Sequence, residues 1–99
     1  MVTIDIKSKV KNAYTYEDGA IIYRIAKREI LNNNIIELSF SEIDSIPSSF
    51  ANGCFIQLLE DFSLDEIKKF VKISNSTKQI NGMIKSRLTF ENNRIRPEK

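Results

Sequence analysis

Ile35-Ile36-Glu37-Leu38-Ser39-Phe40 is nearly all apolar, β-branched at its start, and set between two segments of helical periodicity. So short and apolar a run reads as a central strand covered on both faces, as in the parallel sheets of α/β proteins. Upstream, Ile21, Ile22, Ile25, Ala26 and Ile30 recur at helical spacing, with Arg24, Lys27 and Arg28 on the other side. Thr15-Tyr16-Glu17-Asp18 has the spacing of a capping box at the front of this helix. Asn32-Asn33-Asn34 ends it, because asparagine tolerates the left-handed conformation. The helix is placed at about residues 16–31. Downstream, Ser41 to Ser49 forms a loop containing Pro47. Phe50, Ala51, Cys54, Phe55, Leu58, Leu59 and Phe62 then mark an amphipathic helix with a broad apolar face.

The same alternation continues outward. Val2, Ile4 and Ile6 alternate with Thr3, Asp5 and Lys7, the period of a half-buried strand. Ser63-Leu64-Asp65-Glu66 is a second capping box, opening a short helix or turn through about Lys69, and Phe70-Val71-Lys72-Ile73 is a third strand. Ser76-Thr77-Lys78-Gln79 reads as a third capping box, ahead of a helix marked by Ile80, Met83, Ile84 and Leu88. Past Thr89 the period is lost, so the domain is set at 1–89 and a polar C-terminal tail at 90–99. Strands and helices alternate throughout, and helical crossovers join parallel neighbours with a right hand. The fold class is α/β, and the functional loops of such a sheet lie beyond the carboxyl ends of its strands. Here those loops are 41–49 and 74–76.

Composition removes several kinds of chemistry. With 99 residues there is room for one domain. The 15 Lys+Arg against 13 Asp+Glu leave a charge of +2, too weak a balance to call for nucleic acid or an anionic membrane. Lys68, Lys69 and Lys72 around Phe70 read as solvated surface. The absence of histidine excludes Ser-His, Cys-His and His-metal arrangements. Cys54 is the one cysteine; it reads as an inert core thiol, and its lack of a disulfide partner fits a reducing compartment. No apolar run approaches the roughly 20 residues of a membrane span, and the alternating start is unlike a signal peptide, so the expected location is cytoplasmic. Gly19, Gly53 and Gly82 are isolated and form no phosphate-binding loop. Gly53, inside a helix, points to close approach of another helix or of a partner chain. The expectation is a protein that is not an enzyme and needs no cofactor.

The most informative segment is Asp44-Ser45-Ile46-Pro47-Ser48-Ser49-Phe50. It sets two adjacent hydroxyls at a helix N-terminus, where free N–H groups and the helix dipole favour an anion. One reading has Ser48 or Ser49 cap the helix. The other makes them phospho-acceptors, adding a charge of about −2.

Together, Tyr16-Glu17-Asp18-Gly19, the Ile35–Phe40 strand, Ile46-Pro47-Ser48-Ser49-Phe50-Ala51 and Val71-Lys72-Ile73-Ser74-Asn75 resemble the STAS-like family of unknown function. These are small bacterial domains related to the anti-sigma-factor antagonists, and the likeness covers about residues 14–88. It implies a mixed four- or five-stranded sheet packed with about three to four helices. It also implies a partner with a histidine-kinase-like ATP-binding fold, which phosphorylates a serine at this helix start in the antagonists. Ser48 matches that serine and Ser49 the residue after it; Pro47 and Phe50 stand where the antagonists have aspartate and glycine. The expected contact surface is Asp44, Ser45, Pro47, Ser48, Ser49, Phe50, Asn52 and Asn75. Two alternatives stand beside this docking module: an inhibitor of a host protein encoded by a mobile element, and a small nucleotide- or anion-binding domain. A homodimer is compatible with all three.

Overall fold

The computed structural model describes residues 1–95. Strands β1 (Val2–Asp5), β2 (Ile36–Ser39) and β3 (Val71–Ser74) form a sheet in the order β1-β2-β3, with both pairs parallel. The run that reads as a central strand is central. The register aligns Val2, Ile36 and Val71 in one row and Ile4, Leu38 and Ile73 in another, all on one face. The opposite face carries Thr3, Glu37 and Lys72, then Asp5, Ser39 and Ser74. Coverage of β2 on both faces is therefore corrected. Its Glu37 is only half-buried, and the helices share a single core with the apolar face alone.

Among the described residues five helical segments, more than the three to four expected, make up that covering layer. They are α1 (Ile6–Lys9), α2 (Tyr16–Leu31), α3 (residues 48–61), α4 (Leu64–Phe70) and α5 (Lys78–Ile95). Capping boxes form as the spacing predicts at Thr15 with Asp18 and at Ser63 with Glu66. Asn33 ends α2 with φ 66°, the left-handed geometry expected of it. Phe40, Phe50, Phe55, Leu58 and Leu59 are almost wholly buried, each worth about 1.5–3 kcal/mol of transfer free energy. The rings of Phe40 and Phe50 meet edge to face at 6.4 Å.

Four expectations change. The mixed sheet of four or five strands is, among the described residues, three parallel strands. The chain after β3 stays helical rather than returning as another strand, and Ile6 turns into α1 rather than extending β1. The segment assigned to a tail continues α5 through Ile95, while 96–99 lie outside the described residues. Glu91 holds that extension: it is buried, with one carboxylate oxygen 2.8 Å from Arg87 Nη2 and the other 2.6 Å from Arg94 Nη2. Those guanidinium contacts, Arg94's first, hold its carboxyl below the usual range. Lastly, the third cap is Thr77 rather than Ser76, its Oγ1 accepting from Ile80 N at 3.2 Å.

Helices α2 and α3 cross at their glycines. A Cβ on Gly53 would lie 2.1 Å from the Tyr16 carbonyl oxygen, and one on Gly19 would lie 2.4 Å from that of Phe50. The close approach suggested by Gly53 is thus within the domain. At the crossing α3 widens into a π turn over Asn52–Ile56, and the Gly53 carbonyl accepts a bond from Gln57 Nε2 at 2.8 Å. Cys54 lies under the same crossing, fully buried, and burial pushes its thiol far above the ordinary value. At the other end of this pairing, Tyr23 donates to Asp61, and Lys27 Nζ lies 3.2 Å from the same carboxylate. No described helix is long and apolar enough to cross a membrane.

Candidate functional site

Three loops meet beyond the carboxyl ends of the strands, as expected of a parallel sheet. They are residues 10–15, 40–47 and 75–77. Long-range side-chain bonds tie them together. Gln79 makes both backbone bonds to Ile46: its Oε1 accepts from Ile46 N and its Nε2 donates to Ile46 O, each at 2.9 Å. Thr77 Oγ1 donates to the Asp44 carbonyl at 2.8 Å, and Asn75 Nδ2 donates to Ser39 Oγ at 3.0 Å. Ser49 Oγ donates to the Tyr14 carbonyl at 2.6 Å, closing the ring of loops. Within it, Glu42 holds φ 65° in a turn where Ile43 N donates to Phe40 O at 2.9 Å.

The serine pair divides. Pro47 occupies the N-cap position with an extended backbone and no side-chain cap, so neither Ser48 nor Ser49 caps α3. That corrects the capping reading, and the cause is positional: helical dihedrals begin one residue earlier than a serine cap requires. Ser49, half-buried, spends its hydroxyl proton on Tyr14. Ser48 is exposed at the first helical position, with no side-chain hydrogen bond.

The rest of the expected contact surface also separates. Asp44 and Ser45 are exposed beside Ser48 in sequence, and Pro47 is half-buried. Phe50 is fully buried against Phe40, which removes it from any contact surface. Asn52 is taken up inside the domain, its Oδ1 accepting from Arg87 Nε at 3.0 Å. Asn75, exposed and left-handed at φ 52°, braces the β3 loop against Ser39. The sequence reading missed Gln79, because its partner lies 33 residues away and no local spacing marks the pair.

A polar hollow of about 220 Å³ lies between the segment after β1 and the 42–45 loop. Lys7, Lys11, Glu42 and Asp44 are the charged residues that line it. Balanced signs of charge give a phosphate no net attraction there. Among the described residues no group of His, Cys, Asp and Glu is placed to hold a metal ion.

No curated protein and no solved structure matches the chain. A family model described as a STAS-like domain of unknown function (DUF4325) matches residues 18–81. The match runs from the Asp18 of the first capping box, through β2, the 40–47 loop and β3, into the first turn of α5. With well over half its length inside that model, the chain belongs to the STAS-like domains of unknown function.

Proposed function

We propose that this domain is a non-enzymatic docking module whose contact surface is the start of α3 with the 44–47 loop, switched by phosphate on Ser48. The observation that carries the reading is the division of labour between the serines: Ser49 is spent on Tyr14, while Ser48 is exposed and uncommitted. The ring of loops supports it as well. Gln79 and Thr77 fix the backbone on either side of Ser45, so the surface is rigid before a partner arrives. A phosphate on Ser48 would sit over the first turn of α3, where N–H groups without helical partners favour negative charge. It would also add repulsion toward an acidic partner surface. The partner implied by the family resemblance is a histidine-kinase-like ATP-binding protein.

The test compares Ser48→Asp with Ser48→Ala in pull-downs from native lysate supplied with ATP, with phosphopeptide mapping of the bait. Phosphate is expected on Ser48 and not on Ser49, with Ser48→Asp retaining less partner than Ser48→Ala. Equal retention by the two variants would sink the switch. An unmodified bait on an unrelated protein would favour the host-inhibitor reading.

A further inference from the structure

A second surface, sharing no residue with the first, lies at the outer edge of β3. Phe40 N donates to Ser74 O, so Ser74 and Lys72 turn their backbone groups toward β2, and Val71 and Ile73 turn theirs outward. The Val71 amide is used by the Ile67 carbonyl at the end of α4. The Val71 carbonyl and both backbone groups of Ile73 remain on an edge that pairs with no strand among the described residues. Buried apolar surface continues from this edge. A groove of about 410 Å³ opens between α4 and α5, with Phe55, Ile67, Val71, Ile73, Ile84 and Leu88 among its walls. Its only charged lining residues are Lys68 and Lys85. Lys72 lies on the other face of the strand, opposite Glu37, with its Nζ donating to the Lys68 carbonyl at 3.3 Å.

We propose that this edge receives an extended acidic segment of a partner protein as a fourth strand. Its aliphatic side chains enter the α4–α5 groove, and carboxylates flanking them on the same face meet Lys68 and Lys85 at the groove's rim. Backbone pairing supplies affinity in such strand addition, while pockets for alternate side chains supply specificity. The lysines also decide between occupants. A second copy would bring the same lysines against these ones, and like charges at a strand edge oppose self-pairing. An acidic strand turns the same charges into attraction.

The test titrates the isotope-labelled full chain with a short acetylated peptide, Glu-Thr-Ile-Thr-Ile-Thr-Glu, whose isoleucines and flanking glutamates share one face. The expected result is saturable binding with amide shifts centred on Val71 to Ser74 and on the groove face of α5. The double variant Lys68→Glu, Lys85→Glu changes only exposed side chains, and melting temperature checks its fold. It should bind the peptide about tenfold or more weakly, a difference of about 1.4 kcal/mol. A peptide N-methylated along its pairing edge should not bind. The proposal is overturned if binding is absent, if the N-methylated peptide or the double variant binds equally well, or if the shifts centre on Ser48. Saturable filling of the groove by decanoate, with no response to the peptide, would instead assign it to a small amphipathic anion.

Discussion

At the residue scale, the three glycines make different demands on the chain. A methyl group at Gly53 would strike the Tyr16 carbonyl, backbone that cannot yield without moving α2. Gly53→Ala is therefore expected to destabilise the domain by about 3 kcal/mol, the upper part of the usual overpacking range. Gly82 meets nothing within 4 Å on the exposed side of α5. There the same substitution should stabilise by about 1 kcal/mol through helix propensity alone. Urea unfolding of both variants checks the pair, and equal effects would contradict the crossing geometry. Glu42 presents a separate backbone cost. Its left-handed φ carries a penalty of about 1–2 kcal/mol for an L-residue, more than the roughly 0.5–1 kcal/mol of extra chain entropy that glycine loses on folding. Glu42→Gly should therefore raise the melting temperature; a lower value would mean that the carboxylate itself supports the loop. The sequence suggested a close approach at Gly53, since a mid-helix glycine has a cost. Nothing in it marked Glu42, because backbone strain leaves no residue signature when the residue is not glycine or asparagine.

At the element scale, what could be read in the sequence followed the range of the interactions. Thr15–Asp18 and Ser63–Glu66 are caps closed within one turn, and both formed as the spacing predicts. Ser76-Thr77-Lys78-Gln79 has the same spacing, yet Gln79 turned away to Ile46 and Thr77 took the cap. A local pattern lost to a partner 33 residues distant. The extension of α5 past Thr89 was hidden for a related reason: its stability comes from one carboxylate between two guanidinium groups rather than from apolar periodicity. Because the Glu91 carboxyl is held below its ordinary value, its contribution is present above that value, near pH 4.3. It is lost as pH falls through the lowered folded value. Glu91→Gln should thus melt below the parent near pH 7, with the gap closing as the pH is lowered through that depressed value. A gap that stays constant with pH would show that the ion pairs do not hold the helix.

At the scale of the whole molecule, the alternation of elements was legible and the extent of the sheet was not. The family resemblance implied a fourth or fifth strand, but among the described residues the chain after β3 enters α5, as the spacing of Ile80, Met83, Ile84 and Leu88 predicts, and no further strand follows. The placement of β2 between two parallel partners leads to a test of its own. Amide exchange at Leu38 should be slower than at Ile4 and Ser74, whose amides also turn toward β2, since only β2 has neighbours on both sides. Equal protection across the three strands would mean that the sheet opens as one unit. Strand order in space also repeats strand order along the chain. A ribosome releasing this protein from its N-terminus would let each strand find its partner already present, with no early strand waiting for a late one. The loop ring is the exception. Residues 44–46 emerge well before Thr77 and Gln79, so the surface around Ser48 is set only after all three strands have emerged. Until then a chain can hold β1, α2 and β2 in place and still lack a finished docking face.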